Sequence, residues 1–277
     1  MSLHLDSVTL TYGEGQPWAQ CALKEVSLTV EPGELVLVVG PTGSGKSTLL
    51  RVAAGLLAAT DGAVLLDGAP LSDAERGSVG IVFQSPESQL FAETVLEDVA
   101  FGPMNLGHSK EAAHERSRET LAMVGLDPGV FAERSPFSLS GGEARRVALA
   151  GVLSMGPRYL LADEPTAGLD VSGRTIVRRV IQELRARTGV VVVTHDVDEF
   201  LDTADEVLVL FEGAAAFQGS VGQLITDPDV LMKPGLKPPA LLDVQMRLRA
   251  VGMRLPTLSL DAAQVAVSIA EAQRRVT

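Results

Sequence analysis

The chain has 277 residues with 23 Lys and Arg against 35 Asp and Glu, and its formal net charge of −12 argues against non-specific attraction to nucleic acid or anionic lipid. Apolar residues make up 46% and mean hydropathy is +0.22, too apolar for a disordered chain, yet no apolar run approaches the roughly 20 residues that a membrane-spanning helix needs. The lone cysteine, Cys21, excludes an intramolecular disulfide, and the opening MSLHLDSVTL lacks the basic and apolar regions of a secretory leader, so a cytosolic protein is expected.

Residues 3–12 and 22–30 alternate polar and apolar and run into Gly or Pro-Gly, which predicts an antiparallel layer with one wet face. Residues 35–39 read as a strand and 46–57 as a helix; 79–83 is the next strand. From 84 to 130 the strand series is interrupted by a mostly helical pattern, including 110–124, and with the helix at 142–155 this predicts an inserted helical subdomain over about 84–155. Runs 159–162 and 190–194 are apolar at nearly every position, as expected of strands covered on both faces. Helices are expected at 171–187, stopped by Gly189, and at 197–204, followed by a strand at 206–211. After 227 the composition shifts: KPGLKPPALL is a proline-rich break, and 241–252 and 261–275 read as two amphipathic helices. The predicted fold is α/β with a mostly parallel sheet, an N-terminal antiparallel β-subdomain, the inserted helices and a short helical C-terminal extension, divided as 1–234 and 235–277.

Gly40-Pro41-Thr42-Gly43-Ser44-Gly45-Lys46-Ser47-Thr48 follows a predicted strand and opens a predicted helix, matching G-x-x-x-x-G-K-[ST] in the context that gives it meaning. Glycines bring backbone N–H groups against phosphate oxygens, the helix N-terminus adds its positive end, and Lys46 neutralises phosphate charge, while Ser47 offers a hydroxyl to Mg²⁺. The apolar run ending at Ala162 delivers Asp163 and Glu164 to the sheet edge. Side chains alternate along a strand, so the two acids are expected to differ in role: Asp163 on the metal side, Glu164 polarising a water. His195 ends another central strand, where it can hold that water in line. Gln84 follows the strand at 79–83, placing its amide within reach of metal or water.

Ser138-Leu139-Ser140-Gly141-Gly142-Glu143 is a second glycine-rich helix start, with no phosphate of its own nearby in sequence. With it the chain resembles the ATP-binding cassette ATPases over about residues 3–230: the phosphate loop, Gln84, a signature reading LSGGE where the family has LSGGQ, LLADE ending at Glu164, Ala167-Gly168-Leu169-Asp170 and His195 occur in family order. The resemblance implies Mg-ATP as cofactor and two cassettes packed head to tail, so that Ser140, Gly141 and Gly142 act on ATP held by the partner and Asp170 couples the two sites. Tyr12 matches the aromatic that stacks on adenine, and Glu143 is expected to be a tolerated variant.

The string from Gln84 through Phe91, with TVLEDVAFG and Asn105-Leu106-Gly107 after it, resembles the energy-coupling factor branch, which powers uptake of vitamins or of cobalt and nickel ions in prokaryotes. That resemblance implies an ATPase, dimeric with itself or a paralogue, peripheral on the cytoplasmic face of the cell membrane, serving an integral-membrane coupling subunit and a substrate-binding membrane subunit, and no nucleic acid. Leu90 and Phe91 would then offer apolar contact to a coupling helix, with Glu87 at the rim, and the tail, through Leu241, Leu242, Val244, Met246, Leu248 and Val251, would help hold two ATPases together. A soluble cassette ATPase acting on nucleic acid or ribosomes is the rival reading; it fits poorly with the charge and with the lack of basic arms.

Overall fold

The computed structural model describes residues 1–85, 89–255 and 257–274. Two sheets form the frame. The first has the order β2-β1-β4-β5, from β1 (Leu3–Tyr12), β2 (Gln20–Val30), β4 (Asp61–Leu66) and β5 (Ala69–Pro70), paired antiparallel throughout. The second, of six strands, contains β3 (Leu35–Val39), β6 (Val79–Val82), β7 (Tyr159–Asp163), β8 (Gly189–Thr194), β9 (Glu206–Phe211) and β10 (Ala214–Ser220) in the order β10-β9-β3-β8-β7-β6. Every pairing in it is parallel except β9 with β10.

Alternation along the central strands decides what each face covers. Leu35, Leu37, Val39, Leu160, Val190 and Val192 join one apolar cluster with the helices, while Val36, Val38, Leu161, Val191 and Val193 join a second with β1 and β2. All residues of β3, β7 and β8 are buried, which is why these strands read as unbroken apolar runs. Each buried aliphatic side chain contributes about 1.5–3 kcal/mol, so the C-terminal ends of these strands rest on a well-packed core.

The helices are α1 (Lys46–Ala53), α2 (Val95–Asn105), α3 (Lys110–Met123), α4 (Pro128–Phe131), α5 (Gly141–Ser154), α6 (Val171–Leu184), α7 (Val221–Thr226), α8 (Asp229–Met232), α9 (Ala240–Ala250) and α10 (Ala262–Arg274). Helices α2, α3 and α5 pack on one another and share their apolar cluster with the sheet through Val95, Val99, Val147 and Leu121. In the tail, α9 packs on α10, and Gln245, buried between them, exchanges hydrogen bonds with the backbone of Ser259.

Several expectations are corrected. The helix expected over 46–57 ends at Ala53, because Gly55 takes φ +69° and the chain closes back on Arg51 and Val52. The helix expected over 197–204 is a single turn, Val197–Glu199: the Glu199 carbonyl accepts from Arg178 instead of from a helical N–H, and Phe200 and Leu201 turn into the core. The helix expected to reach 275 is described to Arg274. Strands β4, β5 and β10, absent from the prediction, are hairpin partners whose turns, Asp67-Gly68 and Glu212-Gly213, hold positive φ at both residues, the geometry of a two-residue turn that matches strand twist.

Candidate functional site

The parallel strands end at a cavity of about 750 Å³, and the residues around it come from every part of the chain that delivers a strand C-terminus to that edge. Thr42, Gly43, Gly45, Lys46, Ser47 and Thr48 line it from the phosphate loop, together with Gln84, Asp163, Glu164, His195 and Tyr12. The loop needs its glycines: a Cβ on Gly40 would lie 2.3 Å from the Leu210 carbonyl oxygen, and Gly45, at φ +104°, would meet the Ala22 carbonyl oxygen at 2.5 Å. Lys46 folds back so that Nζ donates to the carbonyls of Gly40 (2.7 Å) and Pro41 (3.0 Å). Burial pushes its pKa down, against the pull of Glu164 and Asp163. Ser44 is buried with its hydroxyl unpartnered among the described residues, and Tyr12 sits with its hydroxyl 3.2 Å from Thr48 Oγ1.

Both acids line this one cavity. The strand stops at Asp163, and Glu164 takes φ +52°, a left-handed conformation costly for a side chain with a Cβ. Their surroundings still divide them. Asp163 accepts a hydrogen bond from Ser47, and burial raises its pKa above the ordinary aspartate value, with Ser47 opposing the rise. Glu164 is held from β8: Oε1 accepts the His195 backbone N–H at 2.9 Å and lies 2.8 Å from its Nδ1, and Oε2 accepts from Thr194 Oγ1 at 3.2 Å. The His195 side chain is otherwise 74% exposed and free to face a ligand.

The second set of expected residues is elsewhere. Ser140, Gly141, Gly142 and Asp170 do not line the cavity. Ser140 caps α5, Asp170 caps α6 by accepting from the Gly173 N–H at 2.8 Å, and Gly142 lies so near Leu169 that an added Cβ would meet it at 3.2 Å. These residues therefore form one exposed surface unit rather than part of the cis cavity, flanked by Val171 at 83% and Phe137 at 73% exposure.

The family model described as ABC transporter matches residues 23–167. The chain belongs to that family. Among its curated relatives, the energy-coupling factor transporter ATP-binding protein EcfA2 of Symbiobacterium thermophilum is 45% identical, the match covering 96% of each chain. Among solved structures, cbiO1 of Clostridium perfringens, part of the ABC transporter complex cbiONQ, superposes with a TM-score of 0.71 at 32% identity, over 88% of this chain and 98% of that one. The ATP-binding cassette MJ0796, in a dimeric post-hydrolysis state bound to ADP and Pi, gives a TM-score of 0.71 at 33% identity over 80% and 99%. The family match stops at residue 167, so Asp170 and His195 lie beyond it.

Two residues that hold the groups around this cavity escape a sequence reading. Arg145, on α5, donates to the carbonyl of Gln84 at 2.5 Å and to that of Glu164 at 3.4 Å, bolting the helical group to the chain just after β6 and β7. Its sequence hint is a cation in the first turns of a helix, where the macrodipole disfavours it and another partner must hold it. Thr194 orients Glu164, and only the fold brings it there. Around the expected docking groove, Leu90 is core rather than surface, while Phe91 is exposed and meets Phe101 edge to face at 4.7 Å; Glu87 lies outside the described residues.

Proposed function

We propose that this chain is the ATP-hydrolysing subunit of an energy-coupling factor type importer, working at the cytoplasmic face of a membrane to drive uptake of a vitamin or a transition-metal ion through membrane partner subunits. Among the described residues no helix is long and apolar enough to cross a membrane. The observation that carries the reading is one constellation: Glu164, held at 2.8–2.9 Å by His195 and oriented by Thr194, lines the same cavity of nucleotide size as Lys46, Ser47 and Asp163.

The donor set suits Mg²⁺ bound with a nucleotide. Ser47 and Asp163 already share a hydrogen bond near Lys46, Gln84 lines the same cavity, and burial disfavours the charged form of Asp163, which a bound cation would offset. A hydroxyl, one carboxylate and an amide are the sparse oxygen ligands Mg²⁺ takes when phosphates and waters complete its shell. Bound there, the ion would neutralise charge on the transferring phosphate. The chain's own groups do the rest. Phosphate-loop N–H groups and Lys46 hold the phosphates, Tyr12 supplies a ring for the base, Glu164 accepts the proton of the attacking water, and His195 holds that water in line. Ser140, Gly141, Gly142 and Asp170 act across a dimer with a second ATPase subunit, closing on the nucleotide its partner holds. The exposed apolar Val244, Val251 and Val267 of the tail suit a contact between those two subunits.

The test is turnover of Glu164→Gln beside the wild-type chain. A loss of about 10²–10⁴-fold with nucleotide binding retained is expected of a general base. Unchanged turnover overturns the assignment.

A further inference from the structure

The signature of this chain departs from the family pattern at one atom pair that matters. Ser140 has two donors, its backbone N–H and its hydroxyl, and both are given to Glu143 Oε2, at 2.8 and 2.7 Å. Glu143 N–H returns a bond to Ser140 Oγ at 3.3 Å, completing a reciprocal cap on α5. Those bonds, with the nearby Arg134 and Arg146, hold the Glu143 carboxyl below the usual glutamate range, so it is charged under ordinary conditions. A serine hydroxyl has one proton to donate. While it points at Glu143, it is not available to a phosphate.

We propose that Glu143 is a charge gate on Ser140 that makes the nucleotide site closed by this chain's signature selectively weak toward the γ-phosphate. The inference rests on the reading that Ser140 acts on ATP held by the partner. To bind that ATP, Ser140 must leave a charge-assisted hydrogen bond, and the carboxylate it leaves stays within one turn of a like-charged phosphate. A glutamine at this position keeps the reciprocal cap, because its side-chain oxygen still accepts, but it releases Ser140 more easily and carries no charge. ADP has no γ-phosphate and does not feel the gate. In a dimer whose other subunit carries an amide at this position, the two nucleotide sites are unequal by construction.

The experiment is nucleotide-driven association of the full chain with its ATPase partner, followed by light scattering during titration with a non-hydrolysable ATP analogue and, separately, with ADP. Glu143→Gln is expected to lower the analogue concentration at half-association about tenfold, the equivalent of one charge-assisted hydrogen bond, with the ADP curve unmoved. An unchanged or raised half-point, or an equal shift with ADP, overturns the gate. Ser140→Ala separates the two layers of argument. If it raises the half-point while Glu143→Gln does nothing, only the gate fails. If Ser140→Ala has no effect, the reading that the signature acts across the dimer fails and the gate falls with it.

Discussion

The two halves of this cassette's nucleotide chemistry are built to different standards of rigidity. In the cis half, β3, β7 and β8 are buried along their whole length, and the charged groups at their ends are already held: Lys46 by two carbonyls, Asp163 by Ser47, Glu164 by Thr194 and His195. In the trans half, Ser140 and Asp170 sit at exposed helix starts and spend their hydrogen bonds on capping their own helices. A preorganised half acts as soon as a ligand arrives, whereas the trans half, in the role proposed for it, must first exchange its internal bonds for contacts across an interface. The difference teaches where nucleotide binding ends and nucleotide-driven closure begins.

The strongest way to break this comparison is at Lys46. Removing a preorganised charged donor in a dry site costs about 10²–10³-fold, and Lys46→Ala is expected to lose that much in nucleotide affinity as well as turnover, measured by equilibrium binding to the isolated chain. Tight binding by the variant would mean that the cis half is not the phosphate-holding half.

A smaller effect is expected at the bolt between the halves. Arg145 stands on the signature helix yet bonds the carbonyls of Gln84 and Glu164 in the cis edge. Arg145→Ala should lower turnover about tenfold with KM for ATP almost unmoved, the kinetic equivalent of one charge-assisted hydrogen bond. Arg145→Lys should recover part of it, since one ammonium reaches one carbonyl but not both. A rise in KM with unchanged turnover would instead place Arg145 in nucleotide binding.

What was legible in the sequence follows the same division. The phosphate loop could be read because a backbone that crowds the carbonyls of Leu210 and Ala22 admits only glycine, so the constraint is written in residue type. Buried strands could be read because two covered faces demand an apolar residue at every step. The hairpins at Asp67-Gly68 and Glu212-Gly213 carried a readable turn signal and were missed, because the small strands beside them have little apolar pattern. Arg145 and Thr194 could not be read: their partners lie 61 and 30 residues away, and only the sheet order brings them together. Leu90 and Phe91 are neighbours of similar character, and which one faces the core is set by packing on α2.

Asp163 shows what preorganisation costs. A carboxyl whose pKa is raised on folding binds its proton more tightly in the folded state, so its charged form opposes folding above that raised value; the opposition fades as pH falls through it toward 3.8. Without nucleotide at pH 7, Asp163→Asn is therefore expected to raise Tm by about 2–4 °C, an advantage that shrinks on acidification. Mg²⁺ with nucleotide should stabilise the wild-type chain more than the variant. Thermal scans across pH, with and without Mg-nucleotide, check both signs, and a destabilised variant would show that Asp163 belongs to the fold rather than to the ligand.

The smallest effect is expected where the cis edge touches the tail. Asp198, three residues beyond His195, accepts from the Ala240 N–H with both carboxylate oxygens at 3.1 Å, so the first amide of α9 is capped from the loop that carries His195. A carboxylate at a helix start contributes about 0.5–2 kcal/mol, and Asp198→Ala should remove about 1 kcal/mol from the local stability of α9 alone. Hydrogen exchange of the α9 amides measures that loss directly. Glu164 fixes His195 through its own backbone and ring contacts, independent of Asp198, so turnover should hold within about twofold while the α9 amides open faster. If turnover instead falls with the cap, the histidine loop draws its position from the tail, and the rigid half of the cassette extends past the sheet into α9.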